Sequence, residues 1–370
     1  MRGEQWTLSH LPALDGIRGL AIAFVMVAHS PVSGIHGAGT IGVTMFFTLS
    51  GFLITALLLQ DIQAHHRVRL GRFFVRRARR LAPALLLFLA AMGALALIST
   101  SPVMPTSSDF WGALLYVGNY TSAMDARDTT ISHTWSLAVE EQFYLVWPLV
   151  LMCSARLSRG RWLVPLLATL ISFAIIGRYL SWDGGAGILV VSFATHLRMD
   201  GLLVGCLLAV YLHRRGTNRV PTAVPVVTTI ALVLLMFVGI RSAFLVVVTV
   251  VPILTALMLL AATSGGAVWL AARPLQLLGQ RSYGIYLWHY PIFALAAAAD
   301  TKFGAAVWAG ALSLTALIAH LSWRCVEEPF LKKDPPNRRE DWRGLRTRSK
   351  VSPDVRGSGS PGPRGRRAES

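Results

Sequence analysis

Ten apolar runs, at residues 17–30, 42–59, 81–98, 135–152, 162–180, 193–212, 220–240, 243–262, 283–299 and 304–323, recur along a chain of 370 residues and leave it few folds to choose from. Apolar stretches of about 17 to 25 residues match the hydrocarbon thickness of a bilayer when helical. A helix also satisfies its own backbone polar groups in lipid. Hydrophobic residues make up 54% of the chain and charged residues only 14%, with a mean hydropathy of +0.54. Such a composition excludes a soluble globular protein. The expectation is an all-α, polytopic protein of about ten transmembrane helices in the inner, cytoplasmic membrane of the cell. The runs at 135–152 and 193–212 are interrupted by Glu140, Glu141, Arg198 and Asp200, which must be hidden inside the bundle if they lie at membrane depth.

A formal charge of +17 raises the question of nucleic acid, and the placement of the basic residues answers it. With ten spans both termini share one side, and 30 of the 35 lysines and arginines fall there. The opposite side receives Arg127, Arg178, Arg198, Arg241 and Lys302. This bias puts both termini in the cytoplasm and gives no reason to invoke nucleic acid. The three cysteines have no short paired spacing, so neither a disulfide framework nor a metal site is expected. A membrane domain over residues 1–331 is expected to retain its first span, with no cleavable leader. Residues 332–370, rich in proline, glycine, arginine and serine, read as a disordered cytoplasmic tail. Neither an internal repeat nor the broken helix pair of many transporters is visible.

Four stretches carry chemistry. Arg18 and His29 stand eleven positions apart in the first run, close to three turns and about 16 Å along one helix face. Ionisable groups on one stripe of a membrane helix face a bundle interior or a wet cavity; a snorkelling arginine and an interfacial histidine form the plainer alternative. Residues 67–80 hold seven arginines and no lysine or acid. The guanidinium fork matches phosphate, and Arg77 and Arg80, at i and i+3, share a face of a helix entering the membrane. The alternative is a topology signal beside acidic headgroups. Glu140 and Glu141, among aromatic residues, suit orienting a histidine or binding a sugar, or else favour a helix N-terminus. Ser282, Tyr286 and His289 fall on one stripe at i, i+4 and i+7, which also describes ordinary hydrogen bonding between helices.

Taken together, these stretches resemble the acyltransferase-3 family of integral membrane O-acyltransferases, over residues 10–331. The resemblance rests on Leu14-Asp15-Gly16-Ile17-Arg18-Gly19-Leu20 with its spacing to His29, and on Phe46-Phe47-Thr48-Leu49-Ser50-Gly51-Phe52-Leu53. It continues with Arg77 and Arg80 before Pro83, Trp135-Ser136-Leu137 through Glu140-Glu141-Gln142-Phe143-Tyr144, and Arg198-Met199-Asp200-Gly201. Ser282 with Tyr286, and Glu327-Glu328-Pro329-Phe330, complete it. Each motif is weak alone; seven in order are specific. The resemblance implies a ten-span fold and a cytoplasmic acyl-CoA, most often acetyl-CoA, as co-substrate with no permanently bound cofactor. It implies transfer of the acyl group to a hydroxyl of a carbohydrate or other acceptor, service of Arg18 and His29 in catalysis, and contact of Arg77 and Arg80 with the donor's phosphates. Thr44 stands where many members carry Asp, so that position is given no role. The chain looks like the stand-alone type, without a C-terminal SGNH domain.

The expected activity is therefore acyl-CoA-dependent O-acyl transfer. His29 is cast as general base because an imidazole accepts a proton at neutral pH. Glu140 would orient it and Arg18 would hold or polarise the donor. Glu141, Arg198, Asp200, Ser282, Tyr286 and His289 are supporting polar residues. Acceptors in view are a carbohydrate, a lipid-linked glycan or a glycosylated natural product. Two other classes compete. A transporter or flippase would use Arg18, His29, Glu140 and Asp200 as a proton or anion path, and leaves the arginine-only cluster unexplained. A scaffold subunit of a glycan-assembly complex would tolerate loss of His29.

Overall fold

The computed structural model describes residues 8, 11–31, 35, 37–99, 101–124, 127–158, 160–183, 187–238, 240–299 and 304–332. Of the expected tail only Lys332 lies among them, and Lys302 lies outside. The described residues form helices and connecting turns, with no strand. In chain order the first are α1 (Pro12–Ala28), α2 (Ala38–His65), α3 (Leu70–Ile98), α4 (Ser107–Leu114) and α5 (Gly118–Met124). A 3₁₀ turn, Ser132–Thr134, leads into α6 (Trp135–Ser158), followed by α7 (Leu163–Asp183), α8 (Gly187–Phe193), α9 (Thr195–Arg198) and α10 (Asp200–Arg215). The last are α11 (Ala223–Leu235), α12 (Ile240–Thr263), α13 (Arg273–Gln280), α14 (Ser282–Ala299), α15 (Gly304–Ser322) and α16 (Glu328–Lys332).

Six stretches are long and apolar enough to cross a bilayer: Ala38–His65, Leu70–Ile98, Ser132–Leu157, Leu163–Trp182, Phe244–Thr263 and Gly304–Lys332. The chain is a multi-pass membrane protein. The other four expected runs fall on the shorter helices α1, α10, α11 and α14, of 17, 16, 13 and 18 residues. Leu86, Leu97, Leu145, Phe173, Leu234 and Leu317 are exposed, as a surface bathed in lipid tails requires.

Helix α2 is central and packs against α1, α10 and α12. Its crossing with α10 depends on small residues. A methyl group at Gly51 would strike the backbone of Leu202, and one at Gly205 the backbone of Thr48. Close approach of this kind is how helices gain contact where no hydrophobic effect draws them together. Trp147 of α6 donates to Thr55 of α2 at 2.8 Å, satisfying both groups inside the bundle.

The run at 193–212 is not one span, contrary to expectation. The chain breaks at Ala194, which is extended (φ −66°, ψ 125°), and turns again at Met199 before α10. Arg178 of α7 fills the break: Nη1 donates to the Leu197 carbonyl at 2.6 Å and Nη2 to Asp200 Oδ2 at 2.7 Å. A backbone carbonyl freed at membrane depth needs such a donor. Arg178 and Arg198, counted above with the opposite side, are in fact buried in the bundle, at 0% and 3% exposure.

Most of the arginine-rich stretch is helical. Helix α2 ends at His66, whose backbone is left-handed (φ 54°). Arg69 then folds back on Asp61, donating from its backbone N–H at 2.9 Å, from Nε at 3.0 Å and from Nη2 at 2.6 Å. That clamp fixes the angle at which α3 starts, so Arg72, Arg76, Arg77, Arg79 and Arg80 lie on its first three turns.

Candidate active site

A cavity of about 1000 Å³ lies where α1, α2, α3, α6 and α14 converge, at the upper end of the range for ligand pockets. Arg18 comes from α1, Ser50 from α2, Arg76, Arg77 and Arg80 from α3, Glu140 and Glu141 from α6, and Ser282 and Tyr286 from α14. The cavity therefore unites seven of the eleven residues singled out from the sequence. His29, Arg198, Asp200 and His289 are not in its wall.

The two arginines of the Arg-x-x-Arg pattern have different surroundings. Arg77 donates from Nε to Glu141 Oε1 at 2.8 Å and lies 3.8 Å from Glu140. Its guanidinium carbon sits 3.2 Å from the centre of the Tyr144 ring, a cation–π contact. Arg80 is exposed in the cavity and makes no close ion pair among the described residues, with Glu327 acting on it only at longer range. Arg18 holds Asp15 at 3.5 Å. Of this group Arg80 most nearly presents an uncompensated cation to a ligand.

Glu140 was expected to orient His29, and the geometry assigns it elsewhere. Ser50 and Tyr144 both donate to it at 3.2 Å, and Arg77 stands beside it. A carboxylate with three such neighbours is part of the arginine network. His29 is the residue that closes α1, one position past its last helical residue. Its Nδ1 lies 2.9 Å from the Val25 carbonyl oxygen and 3.3 Å from Nε2 of His289.

Around His29 the chain gathers His133, His289 and Tyr290. The ring of Tyr290 meets His29 edge-on at 4.9 Å and stacks on His133 at 4.9 Å. Tyr290 in turn donates to Asp128 at 2.5 Å. Both ring nitrogens of His133 are buried without a hydrogen-bond partner among the described residues. Between this cluster and the cavity stand Ser136 and Tyr286, 2.6 Å apart, with Tyr286 also donating to the His133 carbonyl at 2.7 Å.

Arg198 and Asp200 do not join this group. Asp200 pairs with Arg178, and Arg198 donates to Thr44 at 3.1 Å, giving that threonine a partner where no role was expected. Sequence reasoning passed over His133, Tyr144, Tyr290, Asp128 and Arg178. His133 and Tyr144 lie inside the stretch that carries Glu140 and Glu141, so their spacing on α6 and the turn before it was available. The pairings of Arg178 and Asp128 cross between distant segments and left no local signal.

A family model described as an acyltransferase domain matches residues 11–324. The chain belongs to the acyltransferase-3 family. Among curated relatives of this acyltransferase-3 chain, the O-acetyltransferase OatA of Staphylococcus aureus (strain NCTC 8325 / PS 47) is 29% identical over 368 residues, covering 89% of this chain and 58% of the relative. The putative peptidoglycan O-acetyltransferase YrhL of Bacillus subtilis (strain 168) is 29% identical, covering 93% and 60%. The peptidoglycan O-acetyltransferase OatA of Listeria monocytogenes is 30% identical, covering 90% and 57%. The acyltransferase-3 chain thus spans less than two thirds of the length of these relatives. No solved structure matches it.

Proposed function

We propose that the chain is a membrane O-acetyltransferase that moves an acetyl group from acetyl-CoA to a hydroxyl of a cell-wall or surface carbohydrate, in the cytoplasmic membrane with both termini inside. The observation that carries this reading is the convergence of Arg18, Arg76, Arg77 and Arg80 from two helices on one cavity, next to a histidine pair. A nucleotide thioester is long, anionic at one end and reactive at the other. Such a cavity suits it, because guanidinium groups recognise phosphate in pairs. The names of the relatives, peptidoglycan O-acetyltransferases, support the acceptor class.

In this reading Arg80, with Arg18 and Arg76 in the same wall, holds the phosphates of the donor. Arg77 is the brace of that wall, tied to Glu140, Glu141 and Tyr144. The pantetheine arm lies in the cavity with its thioester toward Ser136 and Tyr286. His29 takes the proton of the acceptor hydroxyl as that oxygen attacks the thioester carbonyl. Since His29 lies beyond the Ser136–Tyr286 pair, turnover requires that pair to part.

The test is acetyl-CoA consumption by purified protein in detergent, with a soluble muropeptide or oligosaccharide acceptor. No gradient exists there, so an enzyme turns over and a transporter does not. Absence of thioester consumption with folded protein would overturn the reading in favour of transport.

A further inference from the structure

His289 is wholly buried on α14, and its Nδ1 lies 3.0 Å from the carbonyl oxygen of Ile285 and 2.7 Å from that of Tyr286. A carbonyl can only accept, so Nδ1 carries the proton and, in the neutral ring, Nε2 carries a lone pair. That lone pair meets Nδ1 of His29 at 3.3 Å. The same His29 nitrogen lies 2.9 Å from the Val25 carbonyl oxygen, so it too must carry a proton, shared between the carbonyl and His289. The remaining lone pair of His29 is then on Nε2. Three backbone carbonyls therefore set the tautomers of two rings on two helices.

We propose that His289 is the positioning residue for His29, an inference that rests on the reading of His29 as the base. As the acceptor oxygen forms its bond to the thioester carbonyl carbon, its proton passes to His29 Nε2. Collapse breaks the carbon–sulfur bond, and the same proton leaves with the thiolate as CoA thiol. The products are an ester and neutral His29. Throughout, His289 Nε2 accepts from the Nδ1–H of His29 and holds the imidazolium ring in place, the task a carboxylate performs in a serine-protease triad. A neutral ring does this without adding a second charge to the bundle, where an ionised carboxylate is costly. The other groups around His29 are Tyr290, whose hydroxyl is committed to Asp128, and His133, which stacks on the far side of Tyr290. Neither is hydrogen-bonded to His29, whereas His289 is.

Two amide variants separate this role from simple packing. In His289→Asn the amide lies near the position of Nδ1, preserving the bonds to Ile285 and Tyr286 while losing reach to His29. In His289→Gln the amide lies near the position of Nε2, preserving an acceptor for His29. Positioning predicts that the Gln variant keeps kcat within about fivefold of the parent. It predicts that the Asn variant loses about 100-fold in kcat with the acetyl-CoA KM within about twofold, as for a group acting in the chemical step. A structural role predicts the reverse order, and that order overturns the inference. Nitrogen-15 spectra of the histidine-labelled parent supply a second measurement that needs no variant. A neutral His29 protonated at Nδ1 is expected, and one protonated at Nε2 overturns the inference even if both variants unfold. If His29→Ala retained full transfer, the reading of His29 as base would fall, whereas an active Asn variant beside an inactive His29→Ala would sink only the role of His289.

Discussion

Ser136 on α6 and Tyr286 on α14 are joined by a hydrogen bond of 2.6 Å, and the pair forms the partition between the arginine-lined cavity and the histidine cluster. Tyr286 holds the cluster side as well, through its 2.7 Å bond to the His133 carbonyl. Both groups are buried, so the bonds are made away from competing water. The partition joins the donor end and the histidine end of the site, and each prediction below concerns one side of it.

Tyr286→Phe removes the hydroxyl and leaves Ser136 and the His133 carbonyl short of a partner. Unsatisfied buried groups cost about 1–3 kcal/mol. Thermal unfolding in detergent is expected to show a lower midpoint, and Ser136→Ala a smaller loss because the Tyr286 bond to His133 survives. An unchanged midpoint for Tyr286→Phe would mean that the partition is not held by these bonds.

Arg77 and Arg80 are expected to separate in mutagenesis. Arg77→Ala strips Glu140 and Glu141 of their cation, and breaking one partner of a largely enclosed ion pair costs roughly 2–4 kcal/mol. It should show first as lost folded yield. Arg80→Ala breaks no close ion pair among the described residues, removing only the field of Arg80 at Glu327, and should fold normally, with KM for acetyl-CoA raised about tenfold or more as one phosphate contact is lost. Equal effects of the two on KM and on stability would contradict the division.

The buried pair Arg178–Asp200 is a structural element in this account. Arg178 is 0% exposed, and its Nη1 also caps the freed carbonyl of Leu197. Asp200→Ala should therefore cost about 3–5 kcal/mol, the range for stranding one charge of a buried pair. Asp200→Asn should cost less, since the amide oxygen still accepts. If the folded Asn variant transfers acetyl at the parent rate, Asp200 takes no part in the chemistry; a selective fall in kcat would place it in the site.

Much of this was legible in the sequence, and the limits have physical causes. Helical runs near membrane length and the arginine-only stretch are local patterns, and the helices α2, α3, α6, α7, α12 and α15 carry them as expected. Arg18, Arg77, Arg80, Glu140 and Tyr286 were each visible as motif residues, and their meeting in one cavity is set by how α1, α3, α6 and α14 converge. What the sequence could not supply was partner choice. Glu140 and Glu141 were visible as a pair, but their bonds to Arg77, Ser50 and Tyr144 depend on how α2, α3 and α6 cross. The interruption of the run at 193–212 by Arg198 and Asp200 was visible, but the place of the break at Ala194 was not, and the compensating Arg178 comes from the preceding long helix. His289 read equally as a supporting polar residue or as interhelical glue, since only the approach of α1 to α14 reveals the ring it faces.

His29 stands outside the cavity wall, and that placement gives the sharpest expectation for it. In His29→Ala the arginines and the cavity are untouched, so acetyl-CoA should bind with unchanged affinity in a titration of the purified protein. Transfer should fall by about 10²–10⁴, the usual contribution of a positioned proton acceptor. Binding and turnover are then separated by one substitution, as expected when the lost group acts only in the transition state. A variant that lost donor affinity in step with its rate would place His29 at the donor end of the partition, and a variant that transferred acetyl normally would leave the histidine pair without a part in the reaction.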